Sequence, residues 1–305
     1  MRPPTYERPG GARRRSPRFG RVRLATWNVN SARARHFRLV DWLDRAAPDV
    51  ACLQETKMSE AEFDALYADD LYRRGYAVAH FGQGRWNGVA LLSRVGLDDV
   101  VTGLPEAAGP LAQEARAIGA TCGDLRVWSL YVPNGRSLED PMYPAKLTWL
   151  AALREVLAGE LTGGRPLVVA GDFNIAPADV DVWDPAAFVG STHVTAEERA
   201  VLATLESDGL FDLVRARWPH EVAYSYWDYR AGMFHKNLGM RIDLVLGTAA
   251  LRDRLAAAYV DRQARKGKDP SDHAPVIVDL DEAPDGDIGP LVPPPSMQPA
   301  RRTRR

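Results

Sequence analysis

Cysteines and long apolar runs are scarce in this chain of 305 residues. The two cysteines, Cys52 and Cys122, each lie inside an apolar, strand-like run, so we expect small buried side chains rather than a disulfide or a nucleophile. No apolar stretch approaches the roughly 18 residues that a membrane helix needs, and no apolar segment follows the first arginines as in a secretory signal. These absences predict a cytoplasmic protein that does not span a membrane.

Net charge is also small, −1 at pH 7, but it is unevenly distributed. From Arg2 to Arg21 there are seven arginines and one glutamate, and four of the last five residues are arginine. These segments lack apolar periodicity, so we expect a disordered basic arm over residues 1–20 and a Pro-rich basic tail over residues 282–305. The remaining residues, 21–281, are predicted to form a single catalytic domain, because α/β sandwiches of this length commonly do.

The segment between arm and tail alternates between helix and strand patterns. Apolar spacing predicts helices over residues 32–45 and 142–157, and capping boxes that begin at Ser59 and Thr195 predict two more helix starts. Strand candidates follow one another without helices at 76–80, 89–92, 116–121 and 125–131, which indicates antiparallel pairing rather than a Rossmann fold. Two mixed sheets packed face to face, with helices outside them, satisfy this pattern.

Five short polar boxes stand at the ends of apolar runs that we predict to be strands, over residues 22–26, 50–53, 167–170, 242–246 and 274–280. They are Thr26-Trp27-Asn28-Val29-Asn30, Leu53-Gln54-Glu55-Thr56, Gly171-Asp172-Phe173-Asn174, Arg241-Ile242-Asp243 and Ser271-Asp272-His273. Carboxylates, carboxamides and imidazoles are costly to bury unless they are paired or bound to a metal, and strand ends that face one crevice can bring them together. The boxes offer mostly oxygen ligands and no thiolate, which favours Mg²⁺ or Mn²⁺ over zinc.

In order and spacing, these boxes resemble the exonuclease III family of apurinic/apyrimidinic endonucleases, within the endonuclease/exonuclease/phosphatase fold. Residues 88–93, 130–135 and 224–230 extend the resemblance, which covers about residues 21–280. It implies an α/β fold, the four-layer αββα sandwich. It also implies an enzyme of base excision repair that uses Mg²⁺ or Mn²⁺ to hydrolyse double-stranded DNA. Such an enzyme cuts 5′ of abasic sites and removes nucleotides or blocking groups from 3′ ends.

The resemblance also assigns roles within the boxes. The implied metal ligands are Asn28, Glu55, Asp172, Asn174, Asp272 and His273, and the implied catalytic residues are Tyr131, Asp172, Asn174, Asp243 and His273. Asp172 would position or deprotonate the attacking water, Asn174 would hold that water or the phosphate, and Tyr131 would donate to a phosphate oxygen. On the residues alone, the turn from Gly171 to Asn174 could equally be an Asx-turn that bonds only its own backbone.

Asp243 and His273 form the acid–base pair that the residues themselves suggest. Histidine titrates near neutrality, and a neighbouring carboxylate both orients the ring and raises its pKa. A cationic His273 beside the scissile phosphate can stabilise the charge of the transition state. The other five histidines are expected to be structural.

DNA contacts are expected from Asn134, Tyr226, Lys57 and Arg85. Tyr226 stands where the family often has Trp or Phe in the wall of the abasic-sugar pocket. We expect a monomer. Two alternatives remain open on the sequence: a phosphodiesterase or phosphatase of the same superfamily that acts on phosphoinositides or sphingomyelin, and a non-catalytic nucleic-acid-binding module. No membrane-docking hairpin supports the first, and the intact set of acid–base residues disfavours the second.

Overall fold

The computed structural model describes residues 21–284 and 289–291. Within these residues, the strands are β1 (Val22–Asn28), β2 (Val50–Gln54), β3 (Ala77–Phe81), β4 (Val89–Ser93), β5 (Asp98–Thr102), β6 (Ala117–Cys122), β7 (Leu125–Tyr131), β8 (Leu167–Asp172), β9 (Leu210–Asp212), β10 (Asp243–Thr248), β11 (Leu255–Val260) and β12 (Val276–Leu280). The α-helices are α1 (His36–Ala46), α2 (Glu60–Arg73), α3 (Met142–Thr162), α4 (Ala196–Ser207), α5 (Leu213–Arg217), α6 (Met233–Lys236) and α7 (Ala249–Arg252).

The strands form two six-stranded mixed sheets. The first sheet has the order β11-β12-β1-β2-β4-β3, and the second has the order β5-β6-β7-β8-β10-β9. One parallel pair lies near the middle of each sheet, β1 with β2 and β7 with β8, and the other pairs are antiparallel. The antiparallel pairs β3–β4 and β6–β7 correspond to the strand candidates that the sequence placed close together.

Three apolar clusters separate four layers. One cluster lies between the sheets and contains residues such as Val50 of β2 and Val127 of β7. A second packs α1 and α2 on the outer face of the first sheet, where Trp27 and Trp42 lie with ring centres 5.3 Å apart. A third packs α3 and α4 on the outer face of the second sheet. The predicted αββα sandwich is therefore confirmed, and both cysteines are buried and free, as expected.

The local signals for helices agree well with the structure. Both capping boxes form, with the Ser59 hydroxyl accepting from the backbone of Glu62 at the start of α2 and Thr195 acting likewise at α4. Helix α3 begins at Met142, as the apolar spacing indicates, and continues to Thr162. The helix expected from residue 32 begins only at His36, because residues 32–35 form turns and the Ala32 amide bonds to the carbonyl of Thr56 at 3.0 Å.

Three strands were not predicted. β5 is an edge strand whose five residues are all exposed, so its sequence has no apolar alternation. β9 has only three residues, and β11 is rich in alanine, which favours helices. Each of these segments becomes a strand because a neighbouring strand supplies hydrogen-bond partners, which local sequence does not encode.

The predicted arm, residues 1–20, lies outside the described residues. Within the predicted tail, the carbonyl of Pro290 accepts a hydrogen bond from the amide of Val260 at 2.9 Å, so this part of the tail lies against the end of β11. Among the helices of residues 21–284, none is long and apolar enough to cross a membrane.

Candidate active site

The candidate site lies where strands of the two sheets end side by side. In the second sheet, Asp172 at the end of β8 is in register with Tyr131 of β7 on one side and with Asp243 of β10 on the other. In the first sheet, Asn28 ends β1, and Glu55 directly follows the parallel strand β2. Because the sheets pack face to face, polar residues from distant parts of the chain meet at one edge of the sandwich.

The Asn28 side chain joins the two sheets at this point. Its Nδ2 donates to Oε1 of Glu55 at 2.8 Å and to Oδ2 of Asp172 at 2.9 Å. Its Oδ1 accepts from the backbone amide of Asn30 at 3.0 Å. Asn28 is fully buried. In this arrangement its amide fixes the spacing of two carboxylates, and its Oδ1 keeps a second lone pair.

His273 lies between two buried carboxylates. Its Nδ1 lies 2.8 Å from Oδ2 of Asp243, and its Nε2 lies 3.8 Å from Oδ2 of Asp172. Burial alone would lower the pKa of His273, but the charges of Asp243 and Asp172 outweigh burial and raise it to about 10. The ring is therefore a cation at neutral pH, and the acid–base pair predicted from the sequence is in hydrogen-bond contact.

Asp172 has the pKa of a group that can exchange a proton near neutrality. Burial raises its pKa; the His273 cation opposes this and the Asp243 charge adds to it, which leaves the pKa at about 7. Its Oδ1 accepts from the amide of Asn174 at 2.9 Å, so the Asx-turn that the sequence allowed is present within the cluster. Gly171 permits the close approach of β7, since a Cβ there would collide with the carbonyl oxygen of Leu130.

A second group of oxygens collects around the Lys57 ammonium. Its Nζ lies 2.7 Å from Oε2 of Glu55 and 2.6 Å from Oδ1 of Asn30. The Nδ2 of Asn30 donates in turn to Oδ1 of Asp272 at 3.0 Å. Burial would raise the pKa of Glu55, but Lys57 and the Asn28 amide outweigh burial and hold the pKa below its ordinary value. Lys57, expected on DNA, thus contacts Glu55 and Asn30.

Tyr131 has a phenol that stays protonated. Burial, together with the charges of Glu55 and Asp172, raises the pKa of Tyr131 well above its ordinary value. The guanidinium of Arg116 lies 4.9 Å from the centre of the ring, and Arg116 pairs with Glu114 at 2.5 Å. The phenol can therefore donate a hydrogen bond from a fixed position beside the carboxylates.

A buried ion pair supports the turn that carries Asn174. The Nζ of Lys146 lies 2.5 Å from Oε1 of Glu198, and neither side chain is exposed. The same Nζ donates to the carbonyls of Asn174 at 2.8 Å and Asn134 at 3.4 Å. Sequence analysis missed this lysine. Its position on the buried face of α3, four residues before Leu150, was the available signal.

His193 also contacts both asparagines. Its Nδ1 lies 2.7 Å from the carbonyl oxygen of Asn174, and its Nε2 lies 3.5 Å from Nδ2 of Asn134. Burial lowers the pKa of His193 to about 4, so the ring is neutral at physiological pH. No polar box surrounds this histidine in the sequence, and its place at the site was not expected.

The remaining predicted DNA contacts lie around the site. The half-buried ring of Tyr226 has its centre 4.9 Å from the ring centre of His273. Asn134 is exposed, and its Nδ2 donates to Oδ1 of Asn174 at 3.1 Å. Arg85 is exposed on the loop that joins β3 to β4.

The donor set fits a hard divalent cation. Oxygen atoms dominate both the residues around His273 and the residues around Lys57. Oδ1 of Asp243 is buried without a hydrogen-bond partner among the described residues. Asp172, Asp243 and His273 offer ligand atoms within 4.8 Å of one another. Protonated His273 is a poor ligand, however, because both ring nitrogens carry hydrogen. Oxygens of Glu55 and Asn30 already contact the Lys57 ammonium, and Asp272 accepts a hydrogen bond from Asn30. This group fits Mg²⁺ or Mn²⁺ better.

Comparison with known proteins gives the class to which this fold and site belong. A model of the Endonuclease/Exonuclease/phosphatase family matches residues 25–273. The chain therefore belongs to this family. It is also 32% identical over 270 residues to exodeoxyribonuclease III of Haemophilus influenzae, a match that covers 84% of this chain and 98% of that protein.

Solved structures place the chain within the same class. A Neisseria 3′ phosphatase bound to a product DNA hairpin superposes with a TM-score of 0.82 at 37% identity, covering 86% of this chain and all of that one. An AP endonuclease from Archaeoglobus fulgidus gives a TM-score of 0.81 at 33% identity, with the same coverage. The sequence-based assignment to exonuclease III-like phosphodiester hydrolases of DNA repair is confirmed.

Proposed function

We propose that this chain uses a divalent metal to hydrolyse DNA phosphodiesters 5′ of abasic sites and to remove nucleotides or blocking groups from 3′ ends. The observation that carries this proposal is the linked set Glu55–Asn28–Asp172–His273, in which two carboxylates and an imidazolium from both sheets are held by side-chain contacts of 2.8 to 3.8 Å. The names of its relatives support DNA as the substrate.

Asp172 supplies the base for the attacking water. Its pKa of about 7 means that a large fraction of this carboxyl is ionised at neutral pH and can accept a proton. As the water oxygen attacks phosphorus, its proton passes to Asp172 and the bond from phosphorus to the leaving oxygen breaks. The leaving oxygen then takes up a proton from solvent water, and Asp172 releases its proton to solvent, which completes the hydrolysis.

His273 and Tyr131 present hydrogen-bond donors to the phosphate. The imidazolium of His273, kept charged by Asp243, places positive charge near the phosphoryl oxygens, where negative charge grows in the transition state. The protonated phenol of Tyr131 donates to a phosphate oxygen. Asn174, held in place by Asn134 and by Lys146, provides an amide for the water or the phosphate.

Glu55 and Asp272, together with Asn30 and Asn28, are the residues that we assign to the metal. When bound, Mg²⁺ or Mn²⁺ would neutralise charge on the phosphate and the leaving oxygen. Glu55 is already ionised, because Lys57 and Asn28 hold its pKa below the ordinary value despite burial. Around this centre, Asn134, Tyr226 and Arg85 are assigned to DNA.

The proposal is tested on a duplex that carries one abasic analogue, with added Mg²⁺ or Mn²⁺, with zinc and with excess chelator. We expect incision 5′ of the analogue with Mg²⁺ or Mn²⁺, none with chelator and little with zinc, because the ligands are oxygens. A duplex with a blocked 3′ end tests the second activity in parallel. Glu55→Gln should abolish incision, whereas Glu155→Gln, on the exposed face of α3, is the matched control. Full activity in chelator would refute the metal requirement.

We further propose that the enzyme acts as a cytoplasmic monomer, with residues 21–281 as the catalytic domain between the basic arm and the basic tail. Sedimentation of the full chain at increasing concentration tests the monomeric state, microscopy of the tagged protein in cells tests the location, and activity of a fragment of residues 21–291 tests the catalytic domain.

A further inference from the structure

Trp86 differs from the other tryptophans of this chain in its exposure to solvent. All eight lie within residues 21–284, and seven of them are buried or half-buried. Trp86 is 73% exposed, on the loop that joins β3 to β4. An exposed indole offers a large flat apolar face together with a polar N–H, which suits it to a binding surface, and its place in the fold decides what it can bind.

The loop that carries Trp86 is hydrogen-bonded to the segment that follows Glu55, one of the proposed metal ligands. The carbonyl of Asn87 accepts from the amide of Lys57 at 2.9 Å, and the carbonyl of Gly88 accepts from the amide of Thr56 at 3.1 Å. Lys57 is the residue whose ammonium contacts Glu55 at 2.7 Å. The backbone next to Trp86 is therefore bonded directly to the segment that presents Glu55.

A second connection runs from the same loop to the catalytic phenol. The Nδ2 of Asn87 donates to Oε2 of Glu114 at 3.1 Å, and Glu114 pairs with Arg116, whose guanidinium lies over the ring of Tyr131. The loop is thus held from both sheets. Trp86 and its exposed neighbour Arg85 directly precede this anchored backbone in the chain.

We propose that Trp86 is a stacking platform for an unpaired or end-exposed nucleobase next to the scissile phosphate, with Arg85 contacting a flanking phosphate. This inference rests on the proposed function, because it assumes a nucleic-acid substrate. An exposed aromatic beside a cation is the usual means of binding bases without reading their sequence. In an intact duplex both faces of each internal base are covered by neighbouring bases. A free face exists at a 3′ end or beside an abasic gap, so the platform favours those substrates over uninterrupted duplex.

The test measures binding and cleavage for Trp86→Ala, Trp86→Phe, Arg85→Ala and Tyr72→Ala. Tyr72 is the matched control, because it is an 83% exposed aromatic near the far end of α2, about 20 Å along the helix from Ser59. Fluorescence anisotropy in chelator gives Kd for two duplexes of the same sequence, one with an abasic analogue and one intact. Initial rates with Mg²⁺ give KM.

We expect Trp86→Ala to weaken binding of the abasic duplex at least about fivefold and to raise KM in parallel. A fivefold loss is at the lower end of the range for removal of one stacked base. Trp86→Phe should restore most of the affinity, Tyr72→Ala should match the wild type, and intact duplex should be affected less. Arg85→Ala should reduce the slope of log affinity against log salt by about 0.9, and Trp86→Ala should leave that slope unchanged.

Equal affinities of Trp86→Ala and wild type for the abasic duplex would overturn the platform, provided that the wild type cuts that duplex. If the wild type neither binds nor cuts it, the proposed function itself fails. Loss of a wild-type dimer on sedimentation of Trp86→Ala would also overturn the inference, because the indole would then cover a second copy of the chain. An equal loss on intact and abasic duplex would overturn the preference for free base faces.

Discussion

The Nε2 of His273 lies 3.8 Å from Oδ2 of Asp172, while the Nδ1 of the same ring lies 2.8 Å from Oδ2 of Asp243. One imidazolium thus lies between two carboxylates that are buried side by side in register on β8 and β10. Asp243 keeps the ring charged, and the ring in turn limits how far burial raises the pKa of Asp172. The three groups are expected to act as one unit.

The substitution Asp172→Asn tests whether Asp172 is the base that accepts the proton of the attacking water. The substitution keeps the shape of the side chain but removes the charge that accepts the proton of water, so turnover should fall at least ~10²-fold. The fold should persist, because the residue ends a strand and its Oδ1 contact with the Asn174 amide can be kept. Steady-state rates on the abasic duplex provide the measurement, with exposed Asp64→Asn on α2 as control. Turnover within a few-fold of wild type would eliminate this role.

His273→Ala and Asp243→Ala should each be severely damaging, and the double variant should be little worse than the worse single one. Residues that act as a unit are not additive, and Asp243 is expected to work mainly through the imidazole. A double-mutant cycle on kcat measures this coupling. Fully multiplicative losses would show instead that Asp243 has an independent role.

The pH–rate profile should show the titration of both Asp172 and His273. Asp172 must lose its proton before it can act as a base, so log kcat/KM should rise with pH up to about 7, the pKa to which burial raises this carboxyl. The rate should fall again near pH 10, where His273 loses the proton that Asp243 stabilises against burial. A bound metal adds positive charge, which moves the lower limb toward acid pH. The absence of any acid limb, even well below pH 7, would contradict the assignment of Asp172 as base.

The buried pair Lys146–Glu198 should position Asn174 and Asn134 rather than contact substrate. Lys146→Met leaves Glu198 buried and unpaired, so we expect a loss of about 3–5 kcal/mol in the free energy of unfolding. Adding Glu198→Gln keeps the capping box of α4, removes the uncompensated charge and should restore most of the stability. Denaturant unfolding and kcat are measured on the same samples.

In the stable double variant, kcat should remain reduced, because the carbonyls of Asn174 and Asn134 no longer share the Lys146 ammonium as a donor. Recovery of kcat together with stability would show that the ion pair serves the fold alone. Lys146→Arg, which retains a donor and a charge, should recover part of the activity.

The basic arm is predicted to contact DNA phosphates. Deleting residues 2–20 removes six arginines and ends well before Asn28, the first residue of the site. We expect weaker binding at low salt and a flatter slope of log affinity against log salt, by roughly 0.9 for each phosphate that the arm neutralises in the full chain. Turnover at saturating DNA should change little. An unchanged slope would mean that the arm does not bind DNA, and a collapse of turnover would mean that it packs on the fold.

Local signals in the sequence determined much of this molecule. The capping boxes at Ser59 and Thr195 start α2 and α4, and the strand candidate from Leu125 to Tyr131 is β7. The oxygen-rich boxes at strand ends indicated a site for Mg²⁺ or Mn²⁺, because such groups are costly to bury unless they are paired or bound to a metal. Their resemblance to the exonuclease III family implied the hydrolase. These signals are readable because a cap, an apolar stripe or a strand run depends on residues within a few positions of one another.

Only the tertiary structure decided how the boxes interlock. Asn28 and Asp172 are 144 residues apart, yet the Asn28 amide donates to that carboxylate and to Glu55 as well. The inward position of Lys57, the presence of Asn30 beside Asp272 and the Lys146–Glu198 pair likewise depend on which strands and helices become neighbours. Sequence spacing contains the donors and acceptors, but their pairing follows from the packing of two sheets, since a hydrogen bond is fixed by position in space and not by position in the chain.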